Sequence, residues 1–165
     1  MPSQTLLPDG GWGGTGFLLP PAGVAMASSS DSMSPASNIR DANLSTLWRP
    51  ATSCDPSPTA NRFCCEPSWV QLSLPGGSVI DGVVIRTPRG IVNGGRVLTG
   101  RFELVSSFGT VTTSVDAVFS PLTRDWAMGF PNVLFVPAGG AFIRFRPGWA
   151  DAANAGVAEI ELYAP

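Results

Sequence analysis

The chain contains no lysine and no histidine, so its ten cationic side chains are all arginine. Without histidine there is no imidazole to serve as general base, metal ligand or pH switch near neutrality. Without lysine there is no amine nucleophile and no phosphate-cradling glycine loop that ends in lysine, and the G-x-S-x-G nucleophile turn is missing as well. Paired carboxylates are the remaining route to acid–base chemistry, from Asp81, Glu103, Asp116, Asp125, Glu159 or Glu161. Glu159 and Glu161 lie two apart in an expected strand and share a face, whereas a pair flanking a cleft has to come from different strands. The expectation is a protein that is not an enzyme. Charge is scarce too, at 13% of residues with a net charge of −2. Ten scattered arginines against twelve acids form no basic patch, so no nucleic-acid partner is expected. No run approaches the ~20 apolar residues of a membrane-spanning helix. Insertion into a membrane by apolar loop tips is not expected either, because few cations are there to support it. Residues 1–24 carry no cation, and glycine and proline interrupt every apolar run, so no conventional secretory signal is expected there.

What is present is apolar and rich in turns. With 165 residues and 44% hydrophobic content the chain can bury one core, and dividing it into two would leave both halves marginal. Residues 1–24 hold six glycines and four prolines, which forbid regular structure, yet Leu6, Leu7, Trp12, Phe17, Leu18 and Leu19 are too apolar for a solvated tail. They form an expected extended N-terminal arm that either wraps its own domain or docks on a neighbouring subunit. Residues 25–165 form the expected domain. After a Ser-rich strand edge and turn comes a polar segment, N-I-R-D-A-N-L-S-T-L-W from Asn38 to Trp48, which reads as a structured loop delivering Trp48 to a core. It is expected to be pinned by the strand that follows at 67–74, P-S-W-V-Q-L-S-L. Cys54, Cys64 and Cys65 lie together in a Pro-rich loop between the two. Three thiols without histidine make a poor zinc site. Either Cys54 pairs with one of the other two, leaving an odd thiol able to link subunits, or all three stay reduced and buried.

From Trp69 onward short β-rich runs alternate with P-G-G, P-R-G, N-G-G, F-G-T and A-G-G turns. Strands are expected near 69–74, 79–87, 101–107, 110–119, 132–137, 141–146 and 156–163, with a hairpin at S-S-F-G-T. No stretch carries a 3.6-residue apolar repeat. The pattern predicts an all-β sandwich or jelly roll.

The order N-I-R-D-A-N-L-S-T-L-W, P-S-W-V-Q-L-S-L, V-I-D-G-V-V-I-R, G-R-F-E-L-V-S-S-F-G-T and V-A-E-I-E-L-Y resembles the discoidin, or coagulation-factor type C, family over about residues 25–163. That resemblance implies a galactose-binding-like jelly-roll β-sandwich, a fold shared with many carbohydrate-binding modules. It further implies a structural calcium held by the first loop and the glutamate of the last strand, here Asp41, Asn43, Thr46 and Glu159. Calcium takes six to eight hard oxygens at flexible geometry, which a tight loop can supply. The competing expectation is that Asp41 and Thr46 only cap the loop's own amides while Glu159 faces solvent. Ala42 stands where the family usually has glycine, and a side chain there tolerates positive φ poorly.

Sugar-binding relatives use loops at one end of the sandwich. The corresponding candidates are Arg89, Asn93 and Arg96, then Arg124 and Trp126, then Trp149. An indole beside a guanidinium suits stacking on a sugar with hydrogen bonds to its hydroxyls, and it suits a protein interface or a buried loop anchor as well. The missing histidine removes a residue that sugar-binding relatives often use. Two settings fit a module of this kind that starts at Met1 without an export signal. One is a phage-type virion protein of the head, neck or tail, anchored by its arm to neighbouring subunits with the jelly roll projecting, able to touch host glycans. The other is a free, extracellular carbohydrate-binding module of a secreted or cell-surface system.

Overall fold

The computed structural model describes residues 17–19, 24–28, 30, 33–50, 68–88, 97–118, 125–148 and 156–165. Nine strands run through these residues: β1 (Phe17–Leu18), β2 (Ala25–Ala27), β3 (Val70–Leu74), β4 (Val79–Arg86), β5 (Thr99–Ser106), β6 (Val111–Val118), β7 (Trp126–Phe135), β8 (Ala141–Pro147) and β9 (Glu159–Ala164). One 3₁₀ turn, Ala36–Arg40, is the only helical element among the described residues. The strands form two antiparallel sheets, β1-β9-β4-β7 and β2-β3-β8-β5-β6. The fold is an antiparallel β-sandwich, the class expected from the sequence.

Alternation builds the core. Val70, Leu72 and Leu74 of β3, Ile143 and Phe145 of β8, and Phe102 and Leu104 of β5 face Ile80, Val83, Ile85, Met128, Phe130, Ile160 and Leu162 of the other sheet. Phe102 packs on Phe145 at 4.9 Å between centroids and meets Phe130 edge-on at 6.0 Å, so one ring ties both sheets together. The same two-residue period sends Trp69 to the outer face, where it meets Arg144 instead of the core. In β4 a register shift between Ile80 and Gly82 changes which residues point inward, and Asp81 is left with a buried oxygen, Oδ1, that has no hydrogen-bond partner. The hairpin read at S-S-F-G-T joins β5 to β6, closed by the Ser106 amide on Thr110 O and turned by Gly109 at φ +87°.

Three expectations shift. β7 starts at Trp126, six residues before the expected strand, because Gly129 and Pro131 look like breakers in sequence. β7 is the edge of its sheet, and a proline there need not interrupt a ladder on its open side. Phe17 and Leu18, read as part of an irregular arm, pair with Ala164 and Tyr163 of β9, and the Leu19 amide donates to Leu162 O at 2.8 Å. Leu6, Leu7, Trp12, Cys54, Cys64 and Cys65 lie outside the described residues. The third shift concerns the polar segment. Its backbone is held by the chain just before β9, where Trp48 and Val157 exchange two hydrogen bonds of 2.8 and 3.0 Å, while the Trp48 side chain shares the core with Val70, Leu72 and Leu74 of β3.

Candidate functional site

The segment Asn38–Trp48 is shaped by local hydrogen bonds. Asn38 Nδ2 donates to Leu47 O at 2.8 Å, drawing the loop's two ends together. Within it Asp41 Oδ1 accepts from the Asn43 amide at 2.9 Å, Asp41 Oδ2 accepts from the Thr46 hydroxyl at 2.7 Å, and Asn43 Oδ1 accepts from the Ser45 amide at 3.0 Å. These are the short polar turns that Asp, Asn and Thr favour. Ala42 sits at φ 58°, the only positive φ of a non-glycine residue among the described residues. The family glycine missing from this position is therefore missing where backbone conformation calls for it. A side chain in the left-handed region costs about 1–2 kcal/mol, so Ala42→Gly is expected to stabilise the domain by about 0.5–1 kcal/mol after glycine's larger unfolded entropy is deducted. Denaturant melts of the two proteins measure it.

Glu159, at the start of β9, closes the loop. It is buried, and its Oε1 accepts from the Asn43 amide at 3.2 Å. The amide capping expected of Asp41 is observed, whereas the Thr46 hydroxyl donates to Asp41 Oδ2 and Asn43 O, and Glu159 does not face solvent. Burial raises the Glu159 carboxyl from its ordinary 4.5 to about 7, helped by the hydrogen bond that the protonated acid donates to the Asp41 carboxylate and opposed by the amides of Ala42 and Asn43. Two carboxyl groups thus share one small, partly desolvated space, lined by the Asn43 carbonyl and the Thr46 hydroxyl. All four residues implied for calcium come together. The donor set is all oxygen with two formal negative charges, which fits a hard divalent cation.

A second group sits at the end of the four-stranded sheet. Arg86 makes a bidentate pair with Glu161, Nε to Oε1 at 2.9 Å and Nη2 to Oε2 at 3.1 Å, and reaches Asp125 Oδ2 through Nη1 at 3.2 Å. Asp125 Oδ1 accepts from the Thr87 amide at 3.0 Å, and the Tyr163 hydroxyl donates to Glu161 Oε2 at 2.8 Å. Burial, then the negative Glu161, push the Tyr163 hydroxyl up to about 12. Partial burial alone would lower Arg86, yet Glu161 and Asp125 together hold it above its ordinary value. The network ties the start of the β4–β5 connection to the start of β7. Two more of the carboxylates considered for chemistry are engaged, Glu103 accepting from Arg146 Nε at 3.0 Å and Asp116 pairing with Arg101 at 2.6 Å, while Asp81 keeps its unpartnered Oδ1.

Register brings the relevant strand ends together. Arg86 lies opposite Glu159 and Ile85 opposite Trp126 in one sheet, while Thr99 lies opposite Val118 and Gly100 opposite Pro147 in the other. The connections leaving these ends carry five of the six sugar-site candidates, and the sixth, Trp126, opens β7. Arg89, Asn93, Arg96, Arg124 and Trp149 are outside the described residues, and only the backbone of Trp126 is placed, at the start of β7. Sequence reading missed Arg86 as an organiser. The signal available was a lone arginine closing the apolar run V-V-I-R.

No protein-family model matches the chain, and no curated protein matches it in sequence. Solved structures do match its fold. CpGH89CBM32-5 from Clostridium perfringens, in complex with GalNAc-β-1,3-galactose, superposes with a TM-score of 0.69 at 15% identity, over 90% of this chain and 100% of that one. The family 32 carbohydrate-binding module of C. perfringens NanJ, in complex with galactose, gives 0.63 at 17% identity over 85% and 92%. A Streptococcus pneumoniae fucose-binding module gives 0.61 at 15% identity over 91% and 96%. The discoidin-like, galactose-binding-like fold read from the sequence is the fold of the chain.

Proposed function

We propose that the chain is a non-enzymatic carbohydrate-binding module that works outside the cell. The observation that carries this reading is the full-length likeness in fold to modules bound to galactose and to GalNAc-β-1,3-galactose. The sugar would lie on the connections that leave the Arg86, Trp126 and Pro147 ends, with Trp126 or Trp149 stacking on its apolar face and Arg89, Asn93, Arg96 and Arg124 donating to its hydroxyls. Carboxylates spent on arginines rather than facing a cleft support a binding role. In the same reading Asp41 and Glu159 hold a calcium ion, joined by Asn43 and Thr46 oxygens. When bound, the ion supplies structural support to the loop, and the loop's own residues supply its shape.

Titration calorimetry with galactose, fucose and GalNAc-β-1,3-galactose tests the sugar site. Binding that weakens at least tenfold in Trp126→Ala or Trp149→Ala is the expected result, and no heat with any neutral sugar at millimolar concentration overturns it.

A second reading keeps the sugar site and places the module in a virion, its residues 1–24 anchoring it to neighbouring subunits. The observation in its favour is the apolar character of the β1/β2 side, where Leu18, Val24, Met26 and Met33 are exposed. A monomer by light scattering across micromolar concentrations would count against it.

A further inference from the structure

We propose that the outer face of the five-stranded sheet carries a second site, centred on Arg144, that binds the carboxylate of an acidic saccharide. The proposal rests on the glycan-binding reading for the kind of ligand and on the sheet itself for the charge. Register sets two rows across β3, β8, β5 and β6. One runs Gln71, Arg144, Glu103, Ser114, and in the next Arg146 lies opposite Arg101, which lies opposite Asp116. Three guanidiniums and two carboxylates share this patch, one cation in excess on a chain whose net charge is −2. Arg101 and Arg146 face each other as like charges, an unfavourable pairing that each offsets with its own acid, Asp116 and Glu103.

Arg144 has no acid of its own and shares Glu103 with Arg146. Its Nε donates to Gln71 Oε1 at 3.0 Å, and its guanidinium lies over the Trp69 ring at 4.2 Å from the centroid. Its nearest carboxylate oxygen, Glu103 Oε2, is 3.8 Å from Nη1, beyond hydrogen-bond reach, and Glu103 is already held in a fork by Arg146 Nε. Neither terminal nitrogen of Arg144 therefore has an acceptor among the described residues. The Arg144 side chain is 15% exposed, and neither terminal nitrogen is among the fully buried polar atoms without a partner in the described residues. Desolvation and the charge of Arg146 disfavour the cation at Arg144, with only partial relief from Glu103. A carboxylate accepting two parallel N–H bonds from Nη1 and Nη2 supplies the missing charge and geometry together. Gln71 and Trp69 hold the guanidinium in place beforehand, so little ordering remains to oppose binding.

Titration calorimetry of the full chain with a hexuronic acid trisaccharide, beside the same trisaccharide with its carboxyl groups reduced, tests this. The acidic form is expected to bind at least tenfold more tightly than the reduced one, and more weakly as salt is raised. Arg144→Gln should remove that preference while leaving any neutral-sugar binding at the loop end unchanged. Arg144→Lys, which keeps the charge and loses the fork, should fall between the two. A far-UV spectrum and melt matching the parent establish that each variant is folded. Equal binding of the acidic and reduced sugars, or an acidic preference that survives Arg144→Gln, overturns the proposal. So does equally tight binding of a short DNA oligonucleotide, which would make the patch a general anion surface. Neutral sugars binding without acidic ones would remove this site and spare the loop site.

Discussion

Trp48→Ala is expected to cost about 3–5 kcal/mol, the range for emptying a buried aromatic site, out of the roughly 5–15 kcal/mol that holds a domain together. The side chain is 1% exposed and lies in the core with Ile39 and Val157, both fully buried. Around it there is little room to collapse. A Cβ at Gly156 would stand 2.6 Å from Trp48 O and strike the Leu47 side chain, so the chain before β9 already lies against this backbone. The two Trp48–Val157 backbone bonds depend on that approach. Losing the indole should therefore loosen the Asn38–Trp48 loop along with the core, and with it the meeting of Asp41 and Glu159. Guanidinium denaturation of Trp48→Ala beside Trp48→Phe measures the effect, the phenylalanine retaining most of the stability. A cost below about 1 kcal/mol for the alanine would show that the indole is not a core anchor.

Most of the fold was legible because strand alternation is a local signal. The runs V-Q-L-S-L, V-I-D-G-V-V-I-R, F-E-L-V-S and A-F-I-R-F-R each announce an inward face, and each is a strand. What failed to show depends on partners distant in sequence. The Trp48 backbone pairs with Val157, more than a hundred residues away, a bridge that no local pattern announces. Trp69 counts as apolar in any composition, yet its place in the pleat turns it outward to a guanidinium. Pro131 hides the first half of β7 because edge position cannot be read from sequence. The loop Asn38–Trp48 was legible in identity through its resemblance, and Ala42 was legible as a departure. That Ala42 holds φ 58° is a property of the folded backbone. The outer-face arginines were not legible at all as a group, since Arg101, Arg144 and Arg146 become neighbours only through the pairing of β5 with β8.

In the presence of a chelator, stability should fall as pH rises from about 4.5 to about 7, the interval between the ordinary and the raised Glu159 values. Over that interval the folded chain keeps a proton on the Glu159–Asp41 pair that the unfolded chain releases, so each step up in pH favours unfolding. The stability present at pH 4.5 is lost progressively and gone above 7, the reverse of the trend for a carboxylate in an ion pair. Holding the proton over so wide an interval is worth at most about 3 kcal/mol, and the open side of the loop reduces this to the order of 1–3 kcal/mol. Calcium should remove the decline, because a dication takes the proton's place between the two carboxylates and binds better as they ionise. At about a hundredfold over its dissociation constant it adds roughly 2.7 kcal/mol, so the melting temperature near pH 8 should rise by several degrees. Glu159→Gln supplies the control, since a neutral amide resembles the protonated acid. In chelator at pH 8 it should be more stable than the parent, and its melting point should ignore calcium. A flat or rising pH profile in chelator would refute the shared-proton account, and an equal calcium response in Glu159→Gln would place any bound ion elsewhere.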